Sequence, residues 1–222
     1  MASSPEQVKV VFLGESDVGK ASLIHQFTTG NFDPDVVTSL SAQYVSKTVE
    51  YDNLQKAIKF DIWDTAGQEK YRALAKIFYK DAKVIMLVYD ITNAKSFEEL
   101  KSYWYEMIKQ NADSDAIIAI VANKNDLYDS QQVKDEEARE FARSVKAIFQ
   151  STSAKSDSGI TSLFDNVGQK YFNPDYDCSA QDQKEQEEYL RKKNEERQKK
   201  NEPKGMKITS ETSKKEKKKK FC

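Results

Sequence analysis

The segment Gly14 to Ser22, GESDVGKAS, has the spacing G-x-x-x-x-G-K directly after an apolar run, Val8 to Leu13. Glycines at such a turn let backbone N–H groups wrap an anion at a helix N-terminus, and the lysine reaches the terminal oxygens. Gly14, Ser16, Asp17, Val18, Gly19, Lys20, Ala21 and Ser22 are therefore the expected phosphate-binding set, with Lys20 also the expected catalytic cation. The bland alternative is a glycine-rich turn with a chance lysine. One letter departs from the pattern. The motif places Ser or Thr after the lysine, whose hydroxyl ligates Mg²⁺. Here Ala21 stands there, and Ser22 lies about 100° further round a helix, so it is no simple substitute.

Three further motifs follow in order: DTAGQ (Asp64 to Gln68), NKND (Asn123 to Asp126) and TSAK (Thr152 to Lys155). Each comes at the end of an apolar, strand-like run. With all four in place the chain resembles the Ras-like small GTPases over Gln7 to Phe172. The resemblance implies a switch that binds GTP and GDP with Mg²⁺ and hydrolyses GTP. Asp126 would accept the paired N–H groups of guanine, a pair adenine lacks. Lys124 would lie along the base, Asn123 would tie the loops together, and the Ala154 amide, flanked by Ser153 and Lys155, would meet the guanine oxygen. Phe32 stands where the family stacks an aromatic on the base, or is simply a loop anchor. Asp64 and Ser39 would serve the metal, the Gly67 amide would sense the γ-phosphate, and Gln68 would orient the attacking water. The single histidine, His25, reads as a surface or packing residue, not a base.

Within the family, WDTAGQEKYRAL (Trp63 to Leu74), FYKDAKVIMLVYDITNAKSFEEL (Phe78 to Leu100) and LGESDVGK resemble the Rab branch, most of all its endosomal type. Tyr44, Trp63 and Phe78 fall on the aromatic triad that Rab effectors read. They can equally be core. Beside Ala21, Ser39 replaces the switch threonine, Ser41 replaces a glycine, and Asp17 brings a carboxylate into the phosphate loop, where like charges repel. All of these point to weaker Mg²⁺–nucleotide coordination. A second reading is accordingly a nucleotide-holding scaffold of the same fold with impaired turnover. An ATP-using kinase or transporter ATPase has no use for NKND plus TSAK.

The elements that must position these motifs are legible in the pattern. Strands are expected at Val8–Leu13, Val84–Tyr89, Ala116–Ala122 and Ala147–Thr152, with a hairpin formed by Tyr44–Tyr51 and Ala57–Trp63. Helices are expected at Lys20–Thr29, from a capping box at Ser96 and Glu99 to about Gln110, at Asp135–Ser144 and at Thr161–Tyr171. Gly30–Ala42 reads as a loop. Alternating strands and helices imply an α/β domain of the P-loop small-G type, with a mostly parallel six-stranded sheet, one antiparallel edge and helices on both faces. Ligands sit at the carboxyl ends of such strands. The expected division is an arm at 1–6, the globular domain at 7–172 and a charged tail at 173–222.

The formal net charge of the 222 residues is −1, unevenly spread. From Asn173 onward there are 15 Lys and Arg against 11 Asp and Glu, and the final SKKEKKKKFC holds six lysines and one glutamate. Gln181–Lys200 reads as a fraying helix supported by pairs such as Glu188–Lys192, with disorder from Asn201. Two cysteines, Cys178 and Cys222, argue against a disulfide scaffold and suit a reducing compartment. No run approaches the ~18 apolar residues of a membrane span. The start lacks the features of a secretory signal or a myristoylation site. The expected address is therefore cytoplasmic, with reversible anchoring to the cytosolic face of endomembranes. Cys222 is the candidate for a prenyl group, with Lys217–Lys220 drawn to anionic lipid. Expected partners are an exchange factor, a GTPase-activating protein, effectors and the prenylation machinery. The chain is expected to be monomeric, and the acidic domain disfavours nucleic acid.

Overall fold

A computed structural model describes residues 4–35, 43–64, 79–178 and 191. The chain divides into two units, Met1–Asp182 and Gln183–Cys222. Of the second, only Arg191 is described, as exposed and helical.

Six strands form one sheet: β1 Glu6–Leu13, β2 Gln43–Tyr51, β3 Lys56–Asp64, β4 Val84–Asp90, β5 Ile117–Asn123 and β6 Ile148–Ser151. Their order across the sheet is β2-β3-β1-β4-β5-β6. Only the β2–β3 pair is antiparallel, with Tyr44 opposite Trp63 and Tyr51 opposite Lys56. The mostly parallel sheet with one antiparallel edge is the one expected. The turn at Asp52–Leu54 is a short 3₁₀ helix.

Among the described residues the longer helices are α1 Lys20–Thr29, α2 from Ala94 to Asn111, α3 Asp135–Ser144 and α4 Ile160–Phe172. Sheet alternation sends successive side chains to opposite faces. Val8, Val10, Phe12, Met86 and Val121 pack with Leu23 and Phe27 of α1 and Leu163 and Phe164 of α4. Val11, Leu13, Ile85, Leu87 and Ile120 pack with Phe97 and Trp104 of α2 and Ala138 and Ala142 of α3. Every residue of β4 is buried, which is why it reads as an unbroken apolar run. Each fully buried Leu, Ile or Phe contributes about 1.5–3 kcal/mol.

The start of α2 corrects one expectation. The cap is Asn93, not Ser96: the Asn93 side chain accepts from the Ser96 N–H. Ser96 already lies inside the helix, and its hydroxyl donates to the Asn93 carbonyl at 2.7 Å while accepting the Asp90 N–H at 3.1 Å. The capping-box spacing is present, but Asn is as good a cap as Ser, and the chain turns helical one turn earlier. Farther along, α2 runs Ala94–Glu99 as α-helix, Leu100–Tyr105 as π-helix and Glu106–Asn111 as α-helix again. The π-helical stretch carries the fully buried Trp104.

At the far end of the hairpin, the Tyr51 hydroxyl donates to the Phe164 carbonyl of α4 at 2.8 Å. The ring crosses the helix at Gly168, where a Cβ would lie 2.0 Å from the ring carbon Cζ.

Candidate functional site

Gly14 to Ser22 leaves the carboxyl end of β1 and enters α1. Two of its glycines are required by space as well as by backbone. A Cβ at Gly14 (φ +144°) would sit 2.2 Å from the Val88 carbonyl oxygen, and one at Gly19 (φ +93°) 2.3 Å from Asn123 Nδ2. The loop is thus pressed against the carboxyl ends of β4 and β5. The lysine that follows is 6% exposed. Its ammonium donates to the carbonyls of Gly14 at 2.9 Å and Glu15 at 2.7 Å. An ammonium has three donors, so one remains to serve an anion within the loop. Burial pushes the Lys20 ammonium down to about 8, against the pull of the Asp64, Glu15 and Asp17 carboxylates. Asp17 adopts the left-handed conformation (φ 62°) that lets the loop close. Glu15 is fixed from outside the loop by the Trp104 indole, which donates to its carboxylate at 2.9 Å.

Asn123 ends β5 and ties three loops together. Its Nδ2 donates to the Val18 carbonyl at 2.8 Å, and its Oδ1 accepts from the Thr152 hydroxyl at 3.3 Å. Thr152 also returns its N–H to Ala122, while Asn125 donates its N–H to the Thr152 carbonyl. Asp126 accepts from the Ser153 hydroxyl at 2.6 Å, and Ser153 in turn accepts the Ser156 N–H at 3.1 Å. Lys124 sits at φ 66° with its ammonium 2.7 Å from Asp90. Ala154 is buried and Lys155 exposed.

The expected residues of the Gly14–Ser22 loop and of NKND and TSAK therefore converge on one edge of the sheet. Asp64, 3% exposed, ends β3 on the same edge, near enough for its charge to act on Lys20. Phe32 is 39% exposed, so it does not anchor its loop in the core. Tyr44 and Trp63 form a cross-strand pair with ring centroids 5.3 Å apart. Tyr44 is 52% exposed, with its hydroxyl donating to Asp61 at 2.7 Å, while Trp63 packs partly against the core. That pair is displayed and braced at once. His25 contacts the Asn31 carbonyl through Nδ1 at 3.0 Å, a local packing contact. Ser39, Ser41, Gly67, Gln68, Phe78 and Cys222 lie outside the described residues.

The sequence reading passed over three contributors: Asp90, the Thr152 hydroxyl and the Trp104 indole. Their signals, an Asp ending a buried strand in VYD and a Thr leading TSAK, acquire meaning only once β4, β5 and β6 lie side by side.

A sequence model of the Ras family matches residues 9–173. The chain belongs to the Ras family. Its relatives include human Ras-related protein Rab-22A, 39% identical over 164 residues, spanning 74% of this chain and 83% of that protein. RabJ of Dictyostelium discoideum is 38% identical over 162 residues (73% of this chain, 62% of RabJ), and RabC of the same organism 36% over 157 (71% and 80%). As a Ras-family member of the Rab type, the chain is a small GTPase: a GTP-binding, GTP-hydrolysing switch of membrane trafficking that works with GTP, GDP and Mg²⁺. Such switches act with exchange factors, GTPase-activating proteins and effectors. No helix among the described residues is long and apolar enough to cross a membrane.

The donors present suit that metal. Among the described residues no cluster of three or more His, Cys, Asp or Glu forms a protein cage for a cation. Magnesium is commonly held by one or two carboxylates plus substrate phosphates, and the buried Asp64 beside Lys20 provides such a carboxylate. Ala21 adds no oxygen to the set.

Proposed function

We propose that the rim built by Gly14–Ser22, NKND and TSAK holds GTP by its base at one end and its phosphates at the other. The observation that carries this reading is the Asn123 side chain, which bonds the Val18 carbonyl and the Thr152 hydroxyl at once. That double contact supports reading the Gly14–Ser22 turn and the Asp126 loop as two parts of one site. In this reading the loop amides from Ser16 to Ser22 and the Lys20 ammonium take the phosphates. Asp126 accepts the two guanine donors, the Ala154 amide meets the guanine oxygen, and Ser153 holds the Asp126 carboxylate in place. Phe32 is exposed and so available to cover the base. Asp64 and Ser39 would hold Mg²⁺, which when bound neutralises charge on the phosphates. Gly67 would report the γ-phosphate and Gln68 would place the water. Competition of GTP against ATP for the full chain tests the reading, alongside identification of the nucleotide that co-purifies. Equal competition by the two nucleotides overturns it.

The tail belongs to the same proposal. Cys222 after Lys217–Lys220 offers a prenyl acceptor beside a basic patch, and each lysine near an anionic leaflet adds about 1 kcal/mol. Similarity to Rab-22A favours endosomal membranes as the address. Tyr44, Trp63 and Phe78 would form the effector surface, and the arm, domain and tail would divide at residues 6 and 172. Membrane recruitment lost in Cys222→Ser is the expected result, and unchanged recruitment counts against the lipid.

A further inference from the structure

Lys124 is the least expected conformer in the site. A lysine in the left-handed region costs roughly 1 kcal/mol, so something must hold it there. The Lys124 side chain is partly exposed, and its ammonium is held by the sheet. It turns back 2.7 Å from Asp90 Oδ2. Asp90 is itself fixed. Its Oδ1 accepts from the Thr92 N–H at 2.8 Å and the Thr92 hydroxyl at 2.7 Å. Asp90 and Asn123 are register partners in the β4–β5 pair, and the Ile91 N–H donates to the Asn123 carbonyl. The sheet itself thus sets the carboxylate beside the first residue of NKND. On its way to Asp90 the lysine stem passes the start of α1: its Cε is 3.9 Å from where a Gly19 Cβ would stand.

We propose that Asp90 is a positioning residue for nucleotide binding, which with Thr92 pins the Lys124 ammonium so that its methylene stem forms a fixed wall for the purine ring. This rests on the guanine-site reading above. The chemistry follows from the geometry. An unpinned lysine carries large rotamer freedom, which ligand binding must remove, and its charge would favour water or phosphate over a flat uncharged ring. A neutralised, immobile stem removes both penalties before the ligand arrives. Asp90 touches no ligand itself. It acts through Lys124, and Thr92 acts through Asp90.

The test is release of a fluorescent GDP analogue from the full chain, measured for the native protein, Asp90→Asn, Lys124→Met and the double variant. Thermal unfolding is followed in parallel. Lys124→Met keeps the stem and removes the charge. Asp90→Asn is expected to speed release about 10-fold, the scale of one charge-assisted contact. The double variant is expected to release no faster than Lys124→Met, because Asp90 has nothing left to hold. Asp90→Glu is expected to restore slow release in part, and Thr92→Val to speed it by about 3-fold. The preference for GDP over IDP, which lacks the 2-amino group, stays unchanged in Asp90→Asn, since Asp126 sets it. Unchanged release in Asp90→Asn overturns the proposal. So do effects of Asp90→Asn and Lys124→Met that multiply, or a loss of thermal stability in Asp90→Asn that accounts for the whole change. If the native chain fails to bind the GDP analogue, the guanine-site reading itself falls, a result distinct from normal binding that is indifferent to Asp90.

Discussion

The two ends of the site are built differently. At the NKND and TSAK end, side chains reach across to groups of separate segments: Asn123 to the Val18 carbonyl and the Thr152 hydroxyl, Asp126 to the Ser153 hydroxyl, Lys124 to the Asp90 carboxylate. At the Gly14–Ser22 end, the one buried cation, Lys20, bonds to carbonyls of its own loop, beside the carboxylates of Asp64, Glu15 and Asp17. The first end is assembled by the fold. The second holds a charge at a cost that the neighbouring carboxylates offset only in part, and a bound anion would offset it further. Interactions at the first end should therefore be indifferent to pH and metal, and those at the second sensitive to both.

Asp126→Ala attacks the preassembled end and should have the largest effect. Two hydrogen bonds to a carboxylate disappear, so guanine nucleotide affinity should fall roughly 1,000-fold and the preference over ATP should vanish. Calorimetric titration with GTP and ATP measures both. Lys20→Met attacks the other end. Affinity should fall roughly 100-fold for GTP, while GTP keeps its advantage over ATP, because base reading is untouched. Equal loss of discrimination in the two variants would erase the distinction between the ends.

Ala21→Ser sharpens the contrast from the metal side. Supplying the missing hydroxyl should slow GDP release about 10-fold in Mg²⁺ and leave release in EDTA unchanged. The smallest effect is that of pH. Anion binding needs the Lys20 proton, which the folded chain gives up at about 8. GDP affinity should thus fall about 4-fold between pH 7 and 8.5, and Lys20→Met should abolish that slope. The linked stability runs the other way. Between about 8 and 10.5 the unfolded lysine keeps a proton that the folded one has lost, so the folded chain gains stability as pH rises through that window.

The sheet was readable because it rests on local signals. Val84–Tyr89 and Ala116–Ala122 are continuous apolar runs; the observed strand Val84–Asp90 extends the first by one residue, and Ile117–Asn123 is the second shifted by one residue at each end. The helices Lys20–Thr29 and Asp135–Ser144 have the bounds their polar–apolar pattern predicts. The cap of α2 was misread because Asn93 and Ser96 are equally good caps and the backbone decides between them. The π-helical stretch at Leu100–Tyr105 has no signature in residue types. Nor has the Asp90–Lys124 pair, residues 34 positions apart that meet through strand register. Motifs name the ligand-facing residues, whereas the groups behind them depend on which strands become neighbours. The expectations for Ser39, Gln68, Phe78 and the tail fall on residues outside those described.

Tyr51 closes the strand that Tyr44 nearly opens, and it presses its ring onto α4 where Gly168 leaves room. Any larger side chain at 168 would evict that ring and release the Phe164 carbonyl. The helix that precedes the C-terminal tail is thereby fastened to the outer edge strand, the one whose opposite end displays an aromatic to solvent. A glycine with no chemistry of its own is what keeps the display edge and the tail-bearing helix in a single mechanical unit.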